Sequence, residues 1–485
     1  MIQPGDEFEV TTHAIAHGGA SVGRYEGQVI FVRDAVPGER LRVRVDSMGK
    51  GNRFAHAHVL EVHEPSSDRR NHPWPLADAL AHELPVGGAD YGHIRPEAQL
   101  RLKSHVISEQ LTRLGGVDQD SPLLRELVVE PLGSGTSGGW RTRVHWAVDE
   151  NGRLGMHPYH GSKIIPVSEL PFAVPEINNL HLWEGEWRNI QRVDVAAPAT
   201  GLPPLILFTA EEGAVPEDIV DDIDVELATC LPAGIEASAV IVPASVSGRQ
   251  RGEKPDSELV RGEPEVYEEV SFPDGTVAAF RVSAGGFWQN HKNAPQRLAR
   301  IVEEASDLRT GEIAWDLYGG AGLLTAALAD RVGEGGTVWS VEGSPVTAAD
   351  SEFNFGPEGA SRTPCAREAN VVATKAGVEQ ALRKWDSGGT GRSRRDSRGG
   401  RIPQGRPDVI VLDPPRQGAG RRVMEALAEI GPRRIVYVAC DPAALGRDTG
   451  YLRASGWQLT GVQGLDMYPD THHVETIAVF EPHRN

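Results

Sequence analysis

The run Ile435-Val-Tyr-Val-Ala-Cys440 constrains the fold more than any other stretch of the chain. It reads as a buried strand that stops at a cysteine. Pro442 follows where a helix can begin, because its φ is preset and it has no N–H to lose. Similar units surround it from about residue 287 onward. Gly311-Glu-Ile-Ala-Trp-Asp316-Leu-Tyr-Gly-Gly-Ala-Gly322 reads as strand, glycine turn and helix. Thr337–Glu342 reads as a second strand, Pro407–Asp413 as another with a helix near Val423–Ile430 behind it, and His473–Phe480 as a last one. Strand alternating with helix is the signature of an α/β doubly wound parallel sheet.

The first 285 residues have a different texture. Residues 1–65 hold four short strand-like runs, Phe8–Thr12, Gln28–Arg33, Leu41–Val45 and Ala57–Val62, separated by glycine and proline turns. This is the pattern of a small all-β barrel. Arg42 and Arg44 share one strand face, next to Arg40 and near Arg33, as a phosphate track or a solvated face would have them. Residues 66–124 read as a linker with surface histidines at His72, His82 and His93, then a helix from Glu97 to Leu114 with Ile107, Leu111 and Leu114 as its apolar stripe. Residues 125–285 read as a mixed α+β unit. Asn151-Gly152 marks a hairpin there, and Arg141, Arg143 and His145 fall on one strand face. Residues 386–406 carry six arginines against two aspartates in a Ser- and Gly-rich stretch, the composition of a disordered insertion.

Charge and cysteine content narrow the class. A net charge of -19 excludes a generally basic nucleic-acid coat while leaving room for local basic patches. Three cysteines in 485 residues are no disulfide framework. With no signal-like N-terminus and no apolar stretch of membrane-spanning length, the expected protein is cytoplasmic, without a membrane partner, and monomeric.

Three clusters after residue 287 carry chemistry. Gly319, Gly320 and Gly322 let the backbone approach a ligand at the end of a first strand, and Glu342 ends the next strand, where a carboxylate can accept ribose hydroxyls. The third glycine of a dinucleotide fingerprint is missing and no phosphate-gripping lysine follows, so a nucleoside without phosphates, such as S-adenosylmethionine, fits better than NAD or ATP. Asp413-Pro-Pro-Arg416 fixes one carboxylate toward the crevice on a stiff turn. Asp466-Met-Tyr-Pro-Asp-Thr-His-His-Val-Glu475 puts a carboxylate before a closing strand, where it can serve as a base or sit in solvent.

These motifs, with Phe287-Trp-Gln289, Asp316–Gly322, Asp413–Arg416, Cys440–Asp448 and His472–Glu475, resemble the RNA uracil-5 methyltransferases that make 5-methyluridine in ribosomal RNA and tRNA. The resemblance covers essentially the whole chain. It implies an N-terminal TRAM (OB-like) RNA-binding barrel over residues 1–65, a central support unit over 125–285 and a Rossmann-like methyltransferase domain over 286–485. It implies Cys440 as nucleophile with a lowered pKa, Glu475 as general base, and S-adenosylmethionine held by Gln289, Tyr318, Gly320, Gly322, Glu342 and Asp413. The TRAM domain favours ribosomal RNA over tRNA as partner. Many ribosomal members carry a cysteine cluster after the barrel. Asn71–Pro75 and Gly87–Asp90 stand there without cysteine, so no iron–sulfur cluster is expected. The alternatives are a tRNA uracil-5 enzyme, an RNA cytosine-5 methyltransferase, which normally uses two cysteines, and a silent RNA-binding protein of the same fold.

Overall fold

The structure is a computed structural model that describes residues 2–133, 138–159, 161–244, 257–364, 368–386 and 405–483. Residues 387–404, nearly all of the expected Arg-rich insertion, lie outside the described residues.

Five strands open the chain: β1 (Glu7–Ile15), β2 (Ser21–Tyr25), β3 (Gln28–Arg33), β4 (Arg40–Met48) and β5 (Phe54–Glu64). They close into a barrel in the order β1-β2-β3-β5-β4. Alternate residues such as Val10, Ile30, Leu41, Val43 and Ala57 fill it. The sequence pattern marks only four of these strands. It misses β2 because Gly23 interrupts the apolar alternation, and a Cβ there would meet Val10 Cγ2 at 2.6 Å. Arg40, Arg42 and Arg44 do share the outer face of β4, but as partners of Glu7, Glu9, Glu61 and Glu64 on the flanking strands. The stripe is neutralised by its own barrel and is no bare phosphate track.

The segment from 65 to 95 has almost no regular structure, yet it is no free linker. Trp74, Val86, Tyr91 and Ile94 are buried. Of its three histidines only His82 keeps the expected exposed position. His93 is buried, and that burial pushes its imidazole down to about 3, so it is neutral. The helix Pro96–Arg113 buries Ile107 and Leu111 and packs against the helix Pro442–Ala454. Leu114, expected in its stripe, is exposed past the helix end.

β6 (Val129–Pro131) leaves for the far sheet, described below. β7 (Arg143–Val148), β8 (Leu154–Met156), β9 (Ile165–Pro166), β10 (Ile190–Ala196), β11 (Leu205–Ala210), β12 (Ser238–Val242) and β13 (Glu258–Arg261) form a seven-stranded sheet in the order β13-β12-β11-β10-β7-β8-β9. Asn151-Gly152 turns β7 into β8, with Gly152 at φ +77°. The hairpin of β14 (Glu265–Ser271) and β15 (Val277–Ser283) shares a core with the helix Ala294–Ser306.

The second large sheet holds β16 (Ile313–Leu317), β17 (Thr337–Glu342), β18 (Asn370–Lys375), β19 (Val409–Leu412), β20 (Arg434–Ala439), β21 (Trp457–Asp466) and β22 (Glu475–Pro482). Its order is β18-β17-β16-β19-β20-β22-β21-β6. β16 to β20 run parallel, and β22 is antiparallel to both β20 and β21. The order turns back between β16 and β19. A crevice therefore opens at their C-terminal ends, the place where such sheets bind ligands. β21 went unread in the sequence because Gly461 and Gly464 and a bulge after Leu459 break its alternation.

Candidate active site

The glycine turn at the end of β16 is shaped for close approach. Tyr318 has φ +66°, Gly320 +57° and Gly322 +108°. A positive φ on a tyrosine is a strained choice that persists only where its surroundings hold it. A Cβ on Gly319 would meet Ser340 Oγ at 2.4 Å, and one on Gly322 would meet the Phe355 ring at 2.3 Å. Gly320 has nothing within 4 Å on that side, because its open side is a cavity. Glu342, at the end of β17, accepts hydrogen bonds from the amides of Gly320 at 2.9 Å and Ser344 at 2.5 Å. The carboxylate thus ties the first turn to the second.

That cavity has a volume of about 920 Å³. Gln289, Tyr318, Gly320, Glu342, Asp413, Cys440 and Glu475 all line it. Of the expected site residues only Gly322 stands behind the wall, as the N-terminal cap of the helix Leu323–Val332. Trp140 and Lys292 exchange a backbone hydrogen bond, as do Thr142 and Asn290, and these bring Gln289 to the cavity.

Cys440 and Glu475 meet through strand register. β20 and β22 pair Ala439 with Thr476. One step further along the antiparallel ladder the cysteine and the glutamate stand opposite each other, and opposite residues point to the same face. Asp441 then caps the helix Pro442–Ala454 by accepting from the Ala444 amide at 2.7 Å. His17, from the β1–β2 loop of the barrel, meets the same carboxylate at 2.9 Å. Burial pushes the Asp441 carboxyl up, but His17 and the Ala443 and Ala444 amides outweigh it and hold it below the usual carboxylate range.

The electrostatics correct one expectation. The Cys440 thiol is not lowered; it is pushed up to about 12 by burial first, then by Glu475 and Asp413, with Arg416 acting the other way. Burial and Asp413 likewise raise Glu475 well above an ordinary glutamate, and its Oε1 has no hydrogen-bond partner. Asp413 and Asp316 are each pushed up to about 7, mainly by burial, with a neighbouring carboxylate adding to it. Three carboxylates around one turn repel one another, so the lobe is built for a cationic ligand and disfavours a polyphosphate.

The two histidines before Glu475 take separate partners. His472 Nδ1 lies 2.6 Å from Asp90 Oδ2, and Arg416 donates to His473 Nε2 at 3.2 Å. Among the described residues no three His, Cys, Asp or Glu side chains gather as metal ligands. Arg447 is held by Asp448 at 2.9 Å and stays out of the cavity. Arg143 is occupied by Glu268 at 2.8 Å. Arg33, read from the sequence only as a neighbour of the β4 arginine stripe, lines the cavity, and the barrel and the irregular segment add walls that sequence reasoning missed: Gly18, Gly19, Asp34 and Asp90. Nothing in their local sequence marks them, because only the docking of the barrel brings them over Cys440.

No family model matches the chain. A protein of Streptomyces avermitilis described as an uncharacterized RNA methyltransferase is 34% identical over 485 residues and covers 99% of each chain. One from Streptomyces coelicolor is also 34% identical, over 99% of this chain and 93% of its own. The chain belongs to this RNA methyltransferase family. A further member from Bifidobacterium longum is 32% identical over 98% of this chain and 96% of its own. The solved structure of the Pyrococcus abyssi tRNA (uracil-54, C5)-methyltransferase matches with a TM-score of 0.64 at 17% identity, covering 97% of this chain and 99% of that one. At that identity the likeness speaks for the fold, a methyltransferase sheet with further modules ahead of it. No helix among the described residues is long and apolar enough to cross a membrane.

Proposed function

We propose that this RNA methyltransferase methylates C5 of a uridine through a covalent adduct with Cys440, using S-adenosylmethionine. The observation that carries the reading is the register that sets Cys440 opposite Glu475 in the same cavity as the glycine turn. Glu342 and Asp413 would hold the ribose and base edge of the cofactor, Gln289 and Tyr318 would line its bed, and Gly320 and Gly322 would shape the turn. The carboxylate-rich lobe fits a ligand with a cationic sulfur and ammonium group. Bound there, it supplies an electrophilic methyl group.

The chain's own residues do the rest. C5 of uracil is too weak a nucleophile alone. The Cys440 thiolate forms a bond to C6, and the C5–C6 π electrons move toward the O4 carbonyl and leave C5 electron-rich. After C5 has been methylated, Glu475 takes the C5 proton, the C5–C6 double bond re-forms, and the thiolate leaves. A positive charge in the carboxylate lobe offsets the negative field of Asp413, which together with burial is what raises Cys440 and Glu475. Activation of the thiol therefore accompanies filling of the cavity.

Ribosomal RNA is the proposed substrate class on the strength of the barrel. The Pyrococcus neighbour favours a second reading, tRNA, since its match spans 97% of this chain and leaves little room for a missing barrel. The test is methylation of separate unmodified ribosomal RNA and tRNA pools with labelled cofactor, followed by nucleoside mass spectrometry. 5-Methyluridine from one pool and not the other decides the class. Cys440→Ala is expected to bind cofactor and transfer nothing. Methylation by that variant at the wild-type rate sinks the adduct.

A further inference from the structure

The cavity extends past Cys440, away from the glycine turn, into a lobe walled by the barrel, the irregular segment and the central sheet. Among its cations, Arg33 is bound to Asp46 at 3.1 Å and lies over the Tyr159 ring at 4.4 Å. Arg416 donates to His473. Arg141 differs. Its backbone is pinned by Phe172 and Val174 on one side and bridged to His291 on the other. Its Nε donates to the Arg143 carbonyl at 2.9 Å. Its two Nη groups have no hydrogen-bond acceptor and no carboxylate partner among the described residues, and burial lowers its pKa from the ordinary arginine value. A set-in guanidinium without a counter-charge costs folding energy, so its retention argues for an anion that arrives later. Arg141 lines the same cavity as Tyr468, Cys440, Glu475 and Asp413, and the Trp140 ring beneath its guanidinium packs edge-on against Tyr468, which places Arg141 at the reacting end.

We propose that Arg141 is an anion-binding residue on the substrate side, its free Nη edge taking a phosphodiester oxygen of the RNA strand beside the target nucleotide. This rests on the RNA reading above. Tyr159, half exposed on the same wall with Arg33 over its ring, supplies a stacking surface for a base of that strand. A phosphate on a fork of two N–H donors is the geometry that guanidinium serves better than ammonium.

The experiment titrates full-length wild type, Arg141→Gln and Arg141→Lys with a fluorescent single-stranded oligouridylate of about ten nucleotides, over a salt series. Calorimetry with S-adenosylhomocysteine and thermal melts run in parallel. Arg141→Gln is expected to weaken RNA binding by about tenfold or more and to flatten the log–log salt slope by about 0.7. Cofactor-product affinity stays unchanged, and Tm holds or rises because an unpaired charge has gone. Arg141→Lys keeps the slope and restores part of the affinity. Unchanged RNA affinity and slope overturn the proposal. So does a loss confined to S-adenosylhomocysteine, which would give Arg141 to the cofactor's carboxylate. Wild type that binds no RNA overturns this proposal and the RNA reading together. An Arg141-dependent salt slope without 5-methyluridine product overturns the uridine reading alone.

Discussion

Glu475→Gln tests the geometry of the candidate pair without any substrate. The two residues stand opposite across the β20–β22 ladder, about 5 Å apart at Cβ. An ionised carboxylate at that distance raises the cost of a thiolate by about 0.8 kcal/mol if water screens it fully and about 3 kcal/mol at an effective dielectric of 20. Neutralising it should lower the thiol pKa by about 0.6 to 2.4. At about pH 10, above the range of even strongly raised carboxyls, the thiolate fraction rises about 4-fold for the smaller shift and about 70-fold for the larger, where it nears saturation. A less basic thiolate is a poorer nucleophile with a Brønsted slope of about 0.4–0.5, so alkylation should speed up about 2- to 8-fold. The assay is iodoacetamide alkylation of the free protein, with the Cys440 peptide quantified by mass spectrometry and the buried Cys230 as internal control. The wild-type rate should climb without a plateau beyond pH 10, since burial, Glu475 and Asp413 push the thiol to about 12. A plateau near pH 8, or a Glu475→Gln rate equal to or below wild type, refutes the reasoning.

Gly322→Ala should destabilise the protein by about 1–3 kcal/mol, because φ +108° suits glycine and the new methyl overlaps the Phe355 ring; urea denaturation reads it, and an unchanged midpoint contradicts it. Lys103 is fully buried against Asp466 at 2.6 Å, so Lys103→Met should cost about 3–5 kcal/mol by stranding a carboxylate. Lys103→Met with Asp466→Leu should recover much of it, and a double variant no better than the single removes the pairing argument. The Asp441 hydrogen bond raises the His17 pKa above 6.5. The contact is therefore fully present below pH 6.5 and fades as pH climbs through the raised value. His17→Ala should lower Tm at pH 6 and leave it unchanged at pH 9, with the effect under about 1 kcal/mol because both side chains are partly solvated. The same deficit at both pH values refutes that linkage.

Much of the catalytic sheet was legible because its strands are short apolar runs closed by Gly, Asp-Pro or Cys-Asp-Pro signals, as in Thr337–Glu342, whose ends coincide with β17. Strands interrupted by glycine, β2 and β21, were not, since a missing side chain erases the period that marks a strand. The arginines of β4 were legible as a face and misleading as a surface. Their partners lie on strands 30 or more positions back or about 20 ahead, and only barrel closure pairs them.

Local chemistry along the chain settles which runs are buried strands, where a glycine turn follows, which cysteine ends a strand and which carboxylates end others. The tertiary structure alone decided how those parts face one another. Cys440 and Glu475 are separated by a helix and β21, and an antiparallel register makes them neighbours. Asp90 and Arg141 come from two other segments and line the same cavity, and His17 reaches Asp441 beside it, only because the barrel, the irregular segment and the central sheet dock around it. The energy of such contacts depends on distance in space, and the linear pattern carries no record of that distance.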